Sequence, residues 1–83
     1  MVTVMAEKKM MTVEGLKKLE DELHERKVII RKEIADKIKE AREQGDLSEN
    51  AEYDAARDEQ RDNEAKIEEL ENLIKNAVVI SDD

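Results

Sequence analysis

The sequence contains no cysteine, proline, phenylalanine or tryptophan, and Tyr53 is its one aromatic residue. Without cysteine there can be no disulfide and no thiolate metal site, which fits a reducing compartment such as the cytosol. Without large aromatic side chains, a globular domain of 83 residues would have little to fill its centre. These absences exclude a disulfide-stapled scaffold and argue against an ordinary compact fold.

Two further absences narrow the range of functions. No apolar run is long enough for a signal peptide or a membrane span, so no membrane partner is expected. There is also no excess of lysine and arginine, because the net charge is -8. Broad binding to nucleic acid phosphates needs such an excess. Any contact with nucleic acid must therefore be local, or be made through a partner.

What the sequence does have is charge and helical periodicity. Charged residues make up 46% of the chain, a composition shared by coiled coils and by disordered chains. Apolar residues recur at steps of three and four, which favours helices over disorder. The first stripe is Leu16, Leu19, Leu23, Ile30, Ile34, Ile38 and Ala41, and the second is Tyr53, Ala56, Gln60, Asn63, Ile67, Leu70, Ile74 and Ala77.

The first stripe predicts a helix over about 12–44. Thr12 is expected to cap it, and Gly45 to end it as a residue that adopts positive φ readily. Arg26 and Lys27 fall where the stripe lacks an apolar residue. Long basic side chains can cover such a seam while their charges reach water, so the helix is predicted to continue unbroken.

The second stripe predicts a helix over about 47–76, with Gln60 and Asn63 as polar seam positions that set the register. A connection as short as residues 45–50 makes the two helices antiparallel neighbours. The predicted fold class is therefore all-α: a long antiparallel two-helix coiled-coil hairpin. At ~1.5 Å per residue the hairpin would be about 45 Å long.

The two ends of the chain are predicted to lie outside this hairpin. Residues 1–11 lack helical periodicity and are expected to be flexible or extended. After the second helix, residues 77–80 (AVVI) form a short apolar run with no obvious partner in this chain. Residues 78–83 are therefore interpreted as a linker toward a following domain.

The segment 45–50, called the tip here, carries Asp46 and Glu49. Standing three residues apart, the two carboxylates would share one face at a helix start. Carboxylate oxygens suit Mg²⁺, but two ligands make only half a site for an ion that prefers six oxygens. The same spacing is that of a capping box, which the physics of the residues alone favours. At this point the residues indicate an acidic tip and no activity.

A longer motif around the tip points to a family. Residues 41–60 (AREQGDLSENAEYDAARDEQ) resemble the signature of the bacterial Gre transcript cleavage factors. Residues 11–16 (MTVEGL) resemble the start of that family's N-terminal domain, and residues 76–79 (NAVV) resemble its end. The resemblance implies a cytoplasmic cofactor, not itself an enzyme. Its hairpin would enter the secondary channel of RNA polymerase and stimulate the polymerase's own cleavage of backtracked nascent RNA.

The resemblance also implies roles for the residues of the tip. Asp46 and Glu49 match the acidic residues that help hold a catalytic Mg²⁺ shared with the polymerase, so the isolated domain is expected to hold none. Contacts with RNA or polymerase are implied for Arg42, Ser48, Asn50 and Arg57, and packing at the tip is expected of Leu47 and Tyr53. For Arg57 the simpler interpretation is a surface ion pair with Glu43 or Asp54, and for Arg42 it is a favourable cation at a helix C-terminus.

The sequence departs from the family's pattern at two points in the first helix. Residues 30–33 (IRKE) lack a proline that many relatives carry there, and Arg26 stands where an apolar residue is common. Two other functions stay open: a regulator that occupies the polymerase channel without promoting cleavage, and a purely structural coiled coil. Weak self-association of the hairpin is also left open.

Overall fold

The computed structural model describes residues 9–45 and 50–80. Its elements are β1 (Lys9–Met11), α1 (Val13–His24), a π-helical segment (Glu25–Ile30), α2 (Arg31–Glu43), α3 (Ala51–Lys75) and β2 (Ala77–Val79). We call α1, the π-helical segment and α2 together the first arm, and α3 the second arm. The all-α prediction is confirmed, apart from two strands of three residues each.

The molecule is elongated. Its radius of gyration is 17.8 Å and its extents are 58 × 37 × 13 Å, whereas a compact chain of this length would have a radius of gyration of about 12 Å. Among the described residues, no helix combines the length and apolarity that crossing a membrane requires.

The two arms pack side by side along the predicted stripes. Cross-arm ion pairs join Lys27 to Glu71, Arg31 to Glu64 and Lys37 to Glu59. Positions later in the first arm thus meet positions earlier in the second. Within residues 9–45 and 50–80, every buried residue belongs to one of the predicted stripes: Ile34, Ile38, Ala41, Ala56, Asn63, Ile67 and Leu70. Burial of the apolar side chains in this set is the main force holding the arms together.

Three helix ends show how local chemistry sets the boundaries. Thr12 caps α1 as predicted, since its side chain accepts a hydrogen bond from the backbone N–H of Gly15 at 3.0 Å. Gly45 follows the end of α2 with φ of 111°. Helix α3 begins at Ala51, because the backbone of Asn50 is extended and its side chain takes the capping position. The predicted start near residue 47 lies outside the described residues.

The first arm is continuous, but it is not uniformly α-helical as predicted. The wider π-helical turn lies where the apolar stripe is interrupted, and Arg26 there faces the second arm. The Arg26 guanidinium donates to Oδ1 of Asn63 at 3.1 Å, and Nδ2 of Asn63 donates to the Arg26 carbonyl at 3.1 Å. That carbonyl also accepts from the backbone N–H of Arg31. A polar layer, Arg26 with Asn63, therefore replaces an apolar one.

The extended run after α3 does have a partner in this chain, contrary to the sequence interpretation. Strands β1 and β2 pair in parallel, with Lys9 opposite Ala77 and Met11 opposite Val79. Pairing satisfies backbone groups that an isolated extended segment would leave to water. We call this end of the molecule the base. The side chains of Met10, Val79 and Ile80 are exposed there.

An arginine–glutamate pair halfway along the arms is the clearest electrostatic feature. The Arg31 guanidinium donates two hydrogen bonds to the Glu64 carboxylate, at 2.7 and 2.6 Å. These bonds lower the pKa of Glu64 and raise the pKa of Arg31. Because both side chains are nearly half exposed, water screens the pair and its contribution to stability is small.

Candidate functional site at the tip

The predicted site residues divide into two groups. Asp46, Leu47, Ser48 and Glu49 lie outside the described residues, and so does the predicted capping box. Arg42, Asn50, Tyr53 and Arg57 are described, and they sit on the two helix ends that flank the tip.

At the end of α2, the backbone carbonyl of Ala41 lacks the hydrogen bond that a regular helix would give it. Ala41 is only 2% exposed. A regular helix would bring the N–H of Gly45 to the Ala41 carbonyl, but this N–H bonds to the carbonyl of Arg42 at 3.2 Å instead. The Ala41 carbonyl accepts a long bond from the N–H of Gln44, also at 3.2 Å. A helix end buried in this way needs a further donor.

Asn50 supplies that donor. Its Nδ2 donates to the Ala41 carbonyl at 2.7 Å, and its Oδ1 accepts from the backbone N–H of Tyr53 at 3.0 Å. One amide group therefore caps the start of the second arm and satisfies the end of the first. The sequence interpretation gave Asn50 only a contact with RNA or polymerase, which stays a prediction. An asparagine just before an apolar stripe is a capping signal that could have revealed this role.

Tyr53 is half-buried near the start of the second arm. Its ring lies against the cluster formed by Ile34, Ile38 and Ala56. The guanidinium of Arg57 lies 6.0 Å from the ring centroid, and its NH1 is 3.5 Å from the tyrosine oxygen. Both distances are at the outer limit for a cation–π contact and a hydrogen bond. Tyr53 therefore holds Arg57 only loosely.

The two arginines that flank the tip are both exposed. In the described part of the chain, neither Glu43 nor Asp54 forms the ion pair with Arg57 that the simpler interpretation supposed. Arg42 lies in the last turn of α2, where a cation is favoured by the helix dipole. One positive charge thus stands on each arm beside the segment that carries Asp46 and Glu49.

Just below the tip, small residues leave a groove between the arms. Its volume is about 300 Å³, and Ala41, Ala55 and Ala56 are among the residues that line it. Lys37 and Glu59 join the arms across it at 3.1 Å. Within residues 9–45 and 50–80, no group of three or more histidine, cysteine, aspartate or glutamate side chains could hold a metal ion.

The fold defines a class of protein: an elongated pair of helical arms joined by a short segment whose sequence is acidic. Comparison with known families makes the class specific. The family described as "Transcription elongation factor, N-terminal" (GreA_GreB_N) matches residues 9–79. This range includes both strands, both arms and the tip. The chain belongs to this family.

Individual relatives agree with the family match. The chain is 69% identical over 80 residues to the transcription elongation factor GreA of Lachnoclostridium phytofermentans, covering 95% of this chain and 50% of the relative. It is 58% identical over 72 residues to that of Bacillus cereus, covering 87% and 46%. Identity to that of Clostridium perfringens is 58% over 79 residues, covering 94% and 50%. The chain spans about half the length of these relatives.

Proposed function

We propose that this chain is the N-terminal coiled-coil domain of a transcript cleavage factor. It inserts an antiparallel hairpin into the secondary channel of RNA polymerase and stimulates the polymerase's cleavage of backtracked nascent RNA. The observation that carries the proposal is the family match over residues 9–79, within which the motif of residues 41–60 surrounds the acidic pair. The chain itself is a cofactor and not an enzyme.

The shape of the molecule supports this proposal. The order of the cross-arm ion pairs, from Lys27–Glu71 to Lys37–Glu59, supports two arms that run in opposite directions. The longest extent is 58 Å, and paired strands close the end opposite the tip. An elongated molecule can carry ligands further into a channel than a globular domain of the same mass could.

At the tip, Asp46 and Glu49 would hold Mg²⁺ together with carboxylates of the polymerase. Their oxygen atoms are the donors that this hard cation prefers, and two of them leave positions for ligands from elsewhere. When bound, Mg²⁺ would supply charge stabilisation and an activated water for phosphodiester hydrolysis. The part played by this chain is to hold the two carboxylates at the end of a rigid support.

The exposed arginines suit a second task at the same end. Arg42 and Arg57 stand on opposite arms beside the tip, and a guanidinium binds phosphate through charge-assisted hydrogen bonds. We propose that they contact the RNA or the polymerase, as does Ser48, and that Leu47 packs at the tip. A net charge of -8 keeps such contacts local. The place of action is the bacterial cytoplasm, where the polymerase works.

The test is a cleavage assay on backtracked transcription complexes with this chain in excess. We expect Asp46→Asn and Glu49→Gln each to reduce the stimulated rate by at least about 10- to 100-fold, because loss of a group that only supports a metal ligand already costs that much. Asp62→Asn is the matched control, because it removes one charge from an exposed position of the second arm away from the tip.

The possible outcomes separate the competing functions. If both variants cleave as fast as the wild type, the roles given to Asp46 and Glu49 are wrong. Association with the polymerase without Mg²⁺-dependent cleavage would identify a non-cleaving regulator of the channel. Failure to associate with the polymerase at all would leave a structural coiled coil.

A further inference from the structure

We infer that Asn50 is a positioning residue that fixes the two ends of the acidic tip relative to each other. This inference rests on the proposed function and adds a residue that acts through others, without touching metal or RNA. It depends on the observation that one side chain bonds to both arms at the points where the tip leaves them.

The first bond anchors the exit from α2. Gly45 has φ of 111° and its N–H bonds one residue further along than in a regular helix. The buried carbonyl of Ala41 therefore depends on the Asn50 amide, whose 2.7 Å bond is shorter than the 3.2 Å bond from Gln44. Breaking the shorter bond would leave this carbonyl with a single long partner.

The second bond anchors the entry into α3. The same side chain accepts from the N–H of Tyr53 at 3.0 Å, and the Asn50 carbonyl accepts from the N–H of Asp54 at 3.1 Å. The start of the second arm is thus tied, through one planar amide, to the end of the first. The residues between Gly45 and Asn50, which include Asp46 and Glu49, must span two points whose separation that amide holds.

The same geometry distinguishes positioning from contact. A side chain that reached toward RNA or polymerase would have to release the Ala41 carbonyl, the Tyr53 N–H, or both. Each release exposes a backbone group that the free protein keeps bonded. The half-buried position of Asn50 fits a residue that works between the arms. Its effect on cleavage is then indirect, through the placement of the carboxylates.

The test uses Asn50→Asp, which keeps the shape and the capping oxygen but replaces the donor with an acceptor. In the free chain, hydrogen exchange of the Tyr53 N–H should stay slow, because the capping oxygen is kept. Exchange of the Gln44 N–H should speed up about tenfold, because the end of α2 opens more often once it is no longer tied to the second arm. In the cleavage assay, the maximal rate at saturating chain should fall about tenfold and the half-maximal Mg²⁺ concentration should rise. The half-saturating chain concentration should stay within twofold. Asn72→Asp is the control, since it adds the same charge at an exposed position of the second arm.

Each contrary result has a separate meaning. Unchanged exchange at Gln44 in Asn50→Asp would overturn the link between the arms, whatever the polymerase does. A raised half-saturating concentration with an unchanged maximal rate would show that Asn50 is a contact residue, and would overturn the positioning role. If the wild-type chain stimulates no cleavage, the proposed function fails and the positioning role in cleavage fails with it, while the exchange data still report on the link. Asn50→Ser, which also keeps a capping oxygen, should reproduce the rate loss if the missing donor is the cause.

Discussion

The polar layer between Arg26 and Asn63 offers a direct test of what stabilises the seam. Asn63 is 4% exposed, and an unpaired amide at so buried a position would be costly. It makes two cross-arm hydrogen bonds, one from the Arg26 guanidinium and one to the Arg26 carbonyl. We predict that Asn63→Ala destabilises the folded chain substantially although it removes only a polar side chain.

The magnitude follows from what is lost and what remains. A hydrogen bond to a charged donor contributes about 1.5–3 kcal/mol and a neutral one about 1 kcal/mol. After the substitution, the Arg26 guanidinium keeps its 3.0 Å bond to Glu22, and the Arg26 carbonyl keeps the N–H of Arg31. No group is left wholly without a partner, so we expect a loss of about 2–3 kcal/mol. For a domain of this size that corresponds to a fall in Tm of roughly 10–20 °C.

The measurement is urea and thermal unfolding followed by circular dichroism at the helical band. Asn72→Ala is the control, because it makes the same change on an exposed part of the same helix. The gain in helix propensity from asparagine to alanine is common to both variants and cancels in the comparison. We expect the control to lie within about 0.5 kcal/mol of the wild type.

A double-mutant cycle then assigns the loss to the pair. Arg26→Met removes the charged donor but leaves the backbone carbonyl for Asn63 to bond. We expect a coupling energy of about 1–2 kcal/mol between the two substitutions. A coupling below about 0.5 kcal/mol, or an Asn63→Ala loss no larger than that of Asn72→Ala, would show that the polar layer adds nothing to the stability of the seam.

Two further predictions follow from burial and from charge. Ile67→Ala, at a side chain only 3% exposed, should lower the free energy of unfolding by about 2–5 kcal/mol in the same experiment. Val28→Ala, at a side chain 52% exposed, should lower it by well under ~1 kcal/mol. Equal losses of stability would mean that the seam is not the core. Because Arg31 lowers the pKa of Glu64 in the folded chain, this pair should add stability above the ordinary glutamate pKa, and that stability should disappear as the pH falls through the lowered value. Glu64→Gln should therefore make stability slightly less dependent on acid pH, and a variant with an unchanged acid profile would contradict the assignment.

The apolar periodicity was sufficient to predict the buried face of both arms. Ile34, Ile38, Ile67 and Leu70 recur at helical spacing, and side chains at that spacing must share one side of a helix whatever they pack against. The boundaries at Thr12 and Gly45 were predictable for a similar reason, because a capping side chain and a residue at positive φ act within one turn. Local rules therefore determine local features.

The features that were missed all depend on a distant partner. The π-helical turn brings the Arg26 carbonyl to Asn63 on the other arm, and no spacing within the first arm predicts that contact. The interruption of the stripe between Leu23 and Ile30 was its only trace in the sequence. The strand pairing at the base likewise joins segments that each looked unpartnered alone. For Asn50, the capping signal was present, but the bond to Ala41 required both arms in place.

The parallel pairing of β1 with β2 has a consequence for how the chain folds. Lys9–Met11 and Ala77–Val79 stand near opposite ends of the described sequence, so their contact closes a larger loop than the contacts between the described parts of the two arms. Contacts between residues far apart along a chain form slowly, because chain entropy must be lost before the contact contributes any favourable interaction energy. Among the cross-arm hydrogen bonds of the described residues, the bond between Asn50 and Ala41 closes the shortest loop and so costs the least chain entropy. The arms should therefore associate first near Gly45 and progressively toward the strands, which makes the base the last part to form and the first to open.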